Sequence, residues 1–229
     1  MKKMHSIGND IIDLEHIDKT RTKDSRFYLK IISESEYALF QKQNIPLEDF
    51  LWLLWSIKES VYKCQKRILP GLLFSPLKID VHQLIAPNNF RKLEFTNDSY
   101  EQTGFYASSC WYGEIYSGSE KFYSRSFIDP RFIFTVAGTE NDLEDICWGI
   151  RYIDDPDQDH QSRDVRDFTL KNLQKLFSCD DMLKIEKNVA GVPMLLKNLS
   201  VMDIPVSFSH HYYMVSYSFL NSKKDTLPA

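Results

Sequence analysis

The chain has 229 residues, of which 43% are hydrophobic, 14% aromatic and 26% charged, with only 8 Gly and 9 Pro. That length suits one large domain or two of about 115 residues, and the composition excludes a disordered, fibrous or disulfide-dependent chain. The 28 Lys and Arg against 32 Asp and Glu leave a net charge of −4 without a basic run, so extended nucleic-acid binding is not expected.

After Lys2 and Lys3, Asp10 and Asp13 arrive before an apolar run could reach signal-peptide length, so secretion is not expected. Residues 6–14 are a β-branched run interrupted by Gly8-Asn9-Asp10, which predicts a strand with a bulge or bend at the glycine and an acid inside it. Ser33-Glu34-Ser35-Glu36 has capping-box spacing ahead of Tyr37, Leu39 and Phe40, so a helix starts at Ser33. A longer helix is expected over 46–67, where Phe50, Leu54, Ile57, Val61 and Cys64 recur at steps of four and three as a core-facing stripe. From Leu77 the period becomes two, which predicts an antiparallel meander at 77–81, 91–96, 105–115, 122–128 and 131–136.

The polar stretch 138–144 marks a boundary between an amino-terminal half, 1–140, and a carboxy-terminal half, 141–229. The second half restarts with a strand at 146–153, an Asp-rich loop, a helix at about 163–177 and further strands. The uncharged stretch 204–222 contains Pro205, two His and five Ser and reads as strands, so no membrane span is expected. Cys64, Cys110, Cys147 and Cys179 are nowhere closer than 32 residues, which fits reduced thiols in a cytoplasmic protein. The expected class is α+β, with two similar subdomains, each a small, mainly antiparallel sheet on helices.

Three groups of residues can carry chemistry. On the long helix Glu59 lies one turn before Lys63 and one turn after Trp55, so carboxylate, ammonium and indole share one side. A surface ion pair would explain Glu59 and Lys63 equally well, although the two Trp of WLLWSIKE push this turn toward a cleft. Asp10 either hydrogen-bonds its own turn backbone or joins Glu59 on one hard cation, since Mg²⁺ takes one or two carboxylates with water and phosphate completing its shell. In Ser207-Phe208-Ser209-His210-His211, alternation puts Ser207, Ser209 and His211 on one face and Phe208 and His210 on the other.

The runs IGNDIIDL (Ile7 to Leu14), LWSIKESVYK (Leu54 to Lys63) and GVP…IPVSFSHH (Gly191 to His211) together resemble the 4'-phosphopantetheinyl transferase superfamily, whose signatures are G-x-D, W-x-x-K-E-x-x-x-K and S-x-S-H. The chain looks like the long, two-half surfactin type with its halves exchanged, a pseudo-dimer in which Asp10 and Glu59 precede His210. The resemblance implies Mg²⁺-dependent transfer of phosphopantetheine from coenzyme A to a serine of an apo acyl or peptidyl carrier protein, as in fatty-acid biosynthesis, releasing 3',5'-ADP. It implies Asp10 and Glu59 as metal ligands, Glu59 also, directly or through a metal-bound water, as base for the serine, and Lys63, Ser209 and His210 against the coenzyme phosphates. Arg163, Arg166 and Lys171 are weaker candidates for the 3'-phosphate, with a solvated helix face as the alternative.

Two departures are visible. Where the long type has a second acid this chain has Ile12, and Asp13 faces the other way, which leaves two acids for the metal; His211-Tyr212-Tyr213 replaces a small residue and narrows the cleft. A fused pair of halves needs no partner subunit, so a monomer is expected. The rivals are a catalytically silent carrier- or coenzyme-binding module and a metal-dependent phosphodiesterase.

Overall fold

The computed structural model describes residues 6–177 and 182–221; Lys2, Lys3 and Cys179 lie outside them. In chain order the elements are β1 (Ile7–Asp13), α1 (Lys19–Thr22), α2 (Ser25–Tyr28), α3 (Glu34–Phe40), α4 (Leu47–Ile68), β2 (Ile79–Ile85), β3 (Ser99–Thr103), β4 (Trp111–Ser117), β5 (Glu120–Ile128) and β6 (Phe132–Gly138). The second half adds β7 (Ile146–Tyr152), α5 (Gln158–Phe177), β8 (Leu183–Lys187), β9 (Pro193–Lys197), β10 (Ser200–His211) and β11 (Met214–Leu220). All paired strands are antiparallel, in a five-stranded sheet ordered β1-β6-β5-β4-β2 and a six-stranded sheet ordered β3-β7-β11-β10-β9-β8. Apart from β3, the orders correspond strand for strand: each half opens with a strand, inserts its long helix, and lays the remaining strands back beside the first. The fold is α+β with two similar subdomains. One strand crosses over: β3 comes early in the chain yet pairs with β7.

Four layers result. α4 buries Phe50, Leu54, Ile57, Val61 and Cys64 against one face of the first sheet. Between the sheets Phe132, Phe134, Trp148, Ile150 and Met214 close around Ile7 and Ile11, and on the far side Val165, Phe168 and Leu173 of α5 cover Val215, Tyr217 and Phe219. β1 is therefore buried along its whole length. Alternate residues divide between the layers: Ile12 belongs to the α4 core and Ile7 and Ile11 to the inter-sheet core.

The capping box at Ser33 is present: the Glu36 amide donates to Ser33 Oγ and the Ser33 amide to Glu36 Oε2. β1, expected to bulge at Gly8, instead runs in unbroken register with β6 from Ile7↔Gly138 to Asp13↔Phe132. The glycine serves a close approach, since a Cβ there would stand 2.1 Å from the Ser60 carbonyl oxygen and 2.9 Å from Lys63 Cβ on α4. Gly8→Ala is accordingly expected to cost about 3 kcal/mol of stability in urea denaturation, and an unchanged midpoint would contradict this contact.

The strand expected at 91–96 does not form. Leu93 and Phe95 do pack into the inter-sheet core, but Asn97 and Asp98, at φ 51° and 57°, turn the chain at once and leave a single bridge, Thr96↔Ser99. Alternation reported a buried face there without a ladder partner. The segment expected as a strand at 105–115 pairs only from Trp111 on, and the one at 77–81 begins at Ile79 after a 3₁₀ turn. Cys64, Cys110 and Cys147 are buried free thiols. Residues 204–220 of the uncharged stretch form the end of β10, a turn and β11, residue 222 lies outside the described residues, and among these no helix is long and apolar enough to cross a membrane.

Candidate active site

β1 pairs with β6 on one edge only. Its other edge faces β10, but the two belong to different sheets and side chains stand in for the missing ladder. The amides of Asn9, Ile11 and Asp13 donate to Ser207 Oγ at 3.0 Å, Ser209 Oγ at 3.2 Å and His211 Nδ1 at 3.0 Å. Both strands offer alternate residues to the seam, so the period of two in Ser207, Ser209 and His211 matches that of the donors. On the same face of β1, Asn9 Nδ2 donates to Ser216 Oγ at 2.8 Å. The halves are thus joined by buried polar side chains at the strand that carries Asp10.

Asp10 is 4% exposed. Its Oδ1 accepts from Ser209 Oγ at 2.7 Å and from Lys63 Nζ at 3.1 Å, while Oδ2 is buried without a partner. Lys63 Nζ also donates to the Asn9 carbonyl at 2.9 Å, so the ammonium is held by β1. Burial, more than any neighbour, raises the Glu59 pKa; Lys63 opposes the shift and the Asp10 charge adds to it. Asp13 takes no part: it accepts from the Glu15 amide and from His16 Nδ1, at 3.1 and 2.8 Å, on the other face of the strand.

Two clefts with lining residues in common open on this cluster. One, of about 330 Å³, is lined by Asp10, Trp55, Glu59, Lys63, Ser209, His210 and His211. The other, of about 260 Å³, shares Glu59, Lys63 and His210 and adds Lys66, Arg67, Lys187 and the Gly191-Val192-Pro193 turn. The pKa of His210 is lowered, first by the desolvation of its ring against the cleft wall and then by Lys63 and Lys187. Arg67 donates to the carbonyls of Pro193 and Val206, tying the end of α4 to the second half.

The structure brings Asp10, Glu59, Lys63, Ser209 and His210 together. Arg163, Arg166 and Lys171 line neither cleft: α5 presents Ser162 and Val165 there, Arg163 and Lys171 are exposed, and Arg166 donates to the Ser162 carbonyl at 2.9 Å. Besides Lys63, the cations that line the second cleft are Lys66, Arg67 and Lys187. The first two follow Lys63 by three and four residues, so helical spacing alone could have found them; Lys187 could only be found from the fold. Lys58, the other lysine of the helix motif, faces away and bonds Glu36.

Asp10 Oδ2, buried and unpartnered beside a second carboxylate, is an arrangement that a divalent cation satisfies, so the residues fit Mg²⁺. Among the described residues no group of three or more His, Cys, Asp or Glu gathers for a metal, so an ion here would rest on two acids. Acids and cations thus line two clefts that share Glu59, Lys63 and His210, a set of groups suited to phosphate.

Residues 6–123 match the model of the 4'-phosphopantetheinyl transferase superfamily. The chain belongs to that superfamily. A holo-[acyl-carrier-protein] synthase of Mycoplasma pneumoniae is 34% identical over 76 residues, 32% of this chain and 62% of the relative, so the matched region spans less than two thirds of that protein. No solved structure matches.

Proposed function

We propose that this protein transfers the 4'-phosphopantetheine group of coenzyme A to a serine hydroxyl of an apo acyl or peptidyl carrier protein, releasing 3',5'-ADP. The observation that carries the reading is the meeting of Asp10, Glu59 and Lys63 from one half with His210 from the other at the mouth of a cation-lined cleft. Glu59 accepts the serine proton as the oxygen attacks phosphorus, and the bond to the departing nucleotide phosphate breaks. Lys63, with two of its three donors held by β1, turns the third toward the phosphates. His210, disfavoured as a cation, offers a hydrogen bond. Mg²⁺ held by Asp10 and Glu59 would supply charge neutralisation at the pyrophosphate.

For the 3'-phosphate we assign Lys66, Arg67 and Lys187 in place of Arg163, Arg166 and Lys171, because the former line the cleft. Lys187→Ala is expected to weaken coenzyme A binding about tenfold by calorimetry. Affinity equal to wild type would remove Lys187 from the site. We further propose a two-half division near 140, a monomer and a cytoplasmic location. The deciding assay is incubation with coenzyme A, Mg²⁺ and an apo carrier: a carrier mass gain of one phosphopantetheine supports the reading, and an unchanged mass under conditions where the fold is intact refutes it.

A further inference from the structure

We propose that Ser209 is a positioning residue that fixes which oxygen of Asp10 is left without a donor, free for a metal ion. The inference rests on the metal reading above and adds to it the device that prepares one of its acids. The Ser209 hydroxyl accepts from the Ile11 amide at 3.2 Å and donates to Asp10 Oδ1 at 2.7 Å. A hydroxyl has one proton, and the amide, which can only donate, leaves that proton to the carboxylate. Lys63 Nζ meets the same oxygen at 3.1 Å. With two donors on Oδ1 the carboxyl group is held, and Oδ2, buried without any partner, is the oxygen left in need of a ligand.

The arrangement crosses the seam between the halves. Lys63 belongs to α4 and Ser209 to β10, so the carboxylate of β1 is oriented only when both halves are docked. Ser207 provides the contrast. Its hydroxyl accepts from the Asn9 amide at 3.0 Å in the same side-chain ladder, one pleat away from Ser209. The two serines therefore share the structural task of sealing the β1 edge, and Ser209 alone of the two holds Asp10 through the bond described.

The test uses the full chain with Mn²⁺ as the probe, its binding read by the loss of the free-ion electron paramagnetic resonance signal in the presence of coenzyme A. Ser209→Ala is expected to weaken Mn²⁺ binding at least about tenfold, Ser209→Thr to restore it, and Ser207→Ala to leave it unchanged while lowering the thermal midpoint as much as Ser209→Ala does. Should Ser209→Ala fail to fold, the Ser209→Thr and Ser209→Cys pair replaces it, the weak thiol donor being expected to give the weaker Mn²⁺ binding. Equal Mn²⁺ affinity in Ser209→Ala and wild type would overturn the proposal. So would an unchanged Mn²⁺ affinity with weakened coenzyme binding, which would make Ser209 a phosphate contact. Wild type that binds no Mn²⁺ would instead refute the metal reading, and this proposal with it.

Discussion

Glu59→Gln is expected to slow carrier modification by about a hundredfold or more, the range for loss of a positioned base, and Asp10→Asn to do so at limiting Mg²⁺. The glutamine keeps the shape of Glu59 and removes both its basicity and its charge. Because burial raises the Glu59 pKa, the base form is lost as pH falls through a value above that of a solvated glutamate, about 4.3. A bound divalent cation works against that shift, so it is read in the protein without Mg²⁺. The same shift sets the sign of a stability effect. A carboxyl that holds its proton longer in the folded than in the unfolded chain loses stability as pH rises through the interval between the two values. Glu59→Gln lacks this loss, so its melting midpoint relative to wild type should increase from about pH 4 to neutrality. Near wild-type turnover in the variant, with carrier and coenzyme saturating, would return Glu59 to the role of an ion-pair partner.

The largest stability effect is expected at Lys58 and Glu36, which form an ion pair at 2.8 Å with both side chains fully buried. Lys58 also donates to the Ile31 carbonyl at 2.7 Å, and Glu36 accepts from the Ser33 and Val81 amides, each at 2.9 Å. One pair thus ties α3, α4, β2 and the turn before α3. Burial lowers the Lys58 pKa and Glu36 opposes the shift. Removing one partner strands a buried charge, so Lys58→Met or Glu36→Gln should each cost about 3–5 kcal/mol in urea denaturation. The double variant should recover part of that loss. Additive losses across the cycle would show that the two charges are not coupled.

The same motif helix shows where sequence reading succeeds and where it stops. Steps of four and three along α4 placed Phe50, Leu54, Ile57, Val61 and Cys64 in a core, and all are buried. Adjacent letters of that motif, Lys58 and Glu59, have unlike surroundings: one is sealed against Glu36, the other opens on the clefts. Their positions on the helix separate them by about 100°, but nothing local says which side another half will cover. Gly8 misled for a related reason, since a glycine in a strand is compatible with a bulge and with a close approach, and only the position of α4 selects between them.

The sequence by itself determined the elements governed by local periods and caps: the capped α3, the apolar stripe of α4, most of the strands of the two sheets, and the alternation that sets His210 opposite Ser207, Ser209 and His211. It also carried the G-x-D and W-x-x-K-E-x-x-x-K runs that lie within the residues matched to the superfamily. What only the tertiary structure decided are the relations between distant segments. β3 joins the second sheet, Ser209 reaches Asp10 across 199 residues of chain, and Lys187, not Arg163, Arg166 or Lys171, faces the cleft. The physical reason is that a strand or helix pattern records which side of a residue is buried, whereas the partner that buries it is chosen by the packing of whole layers.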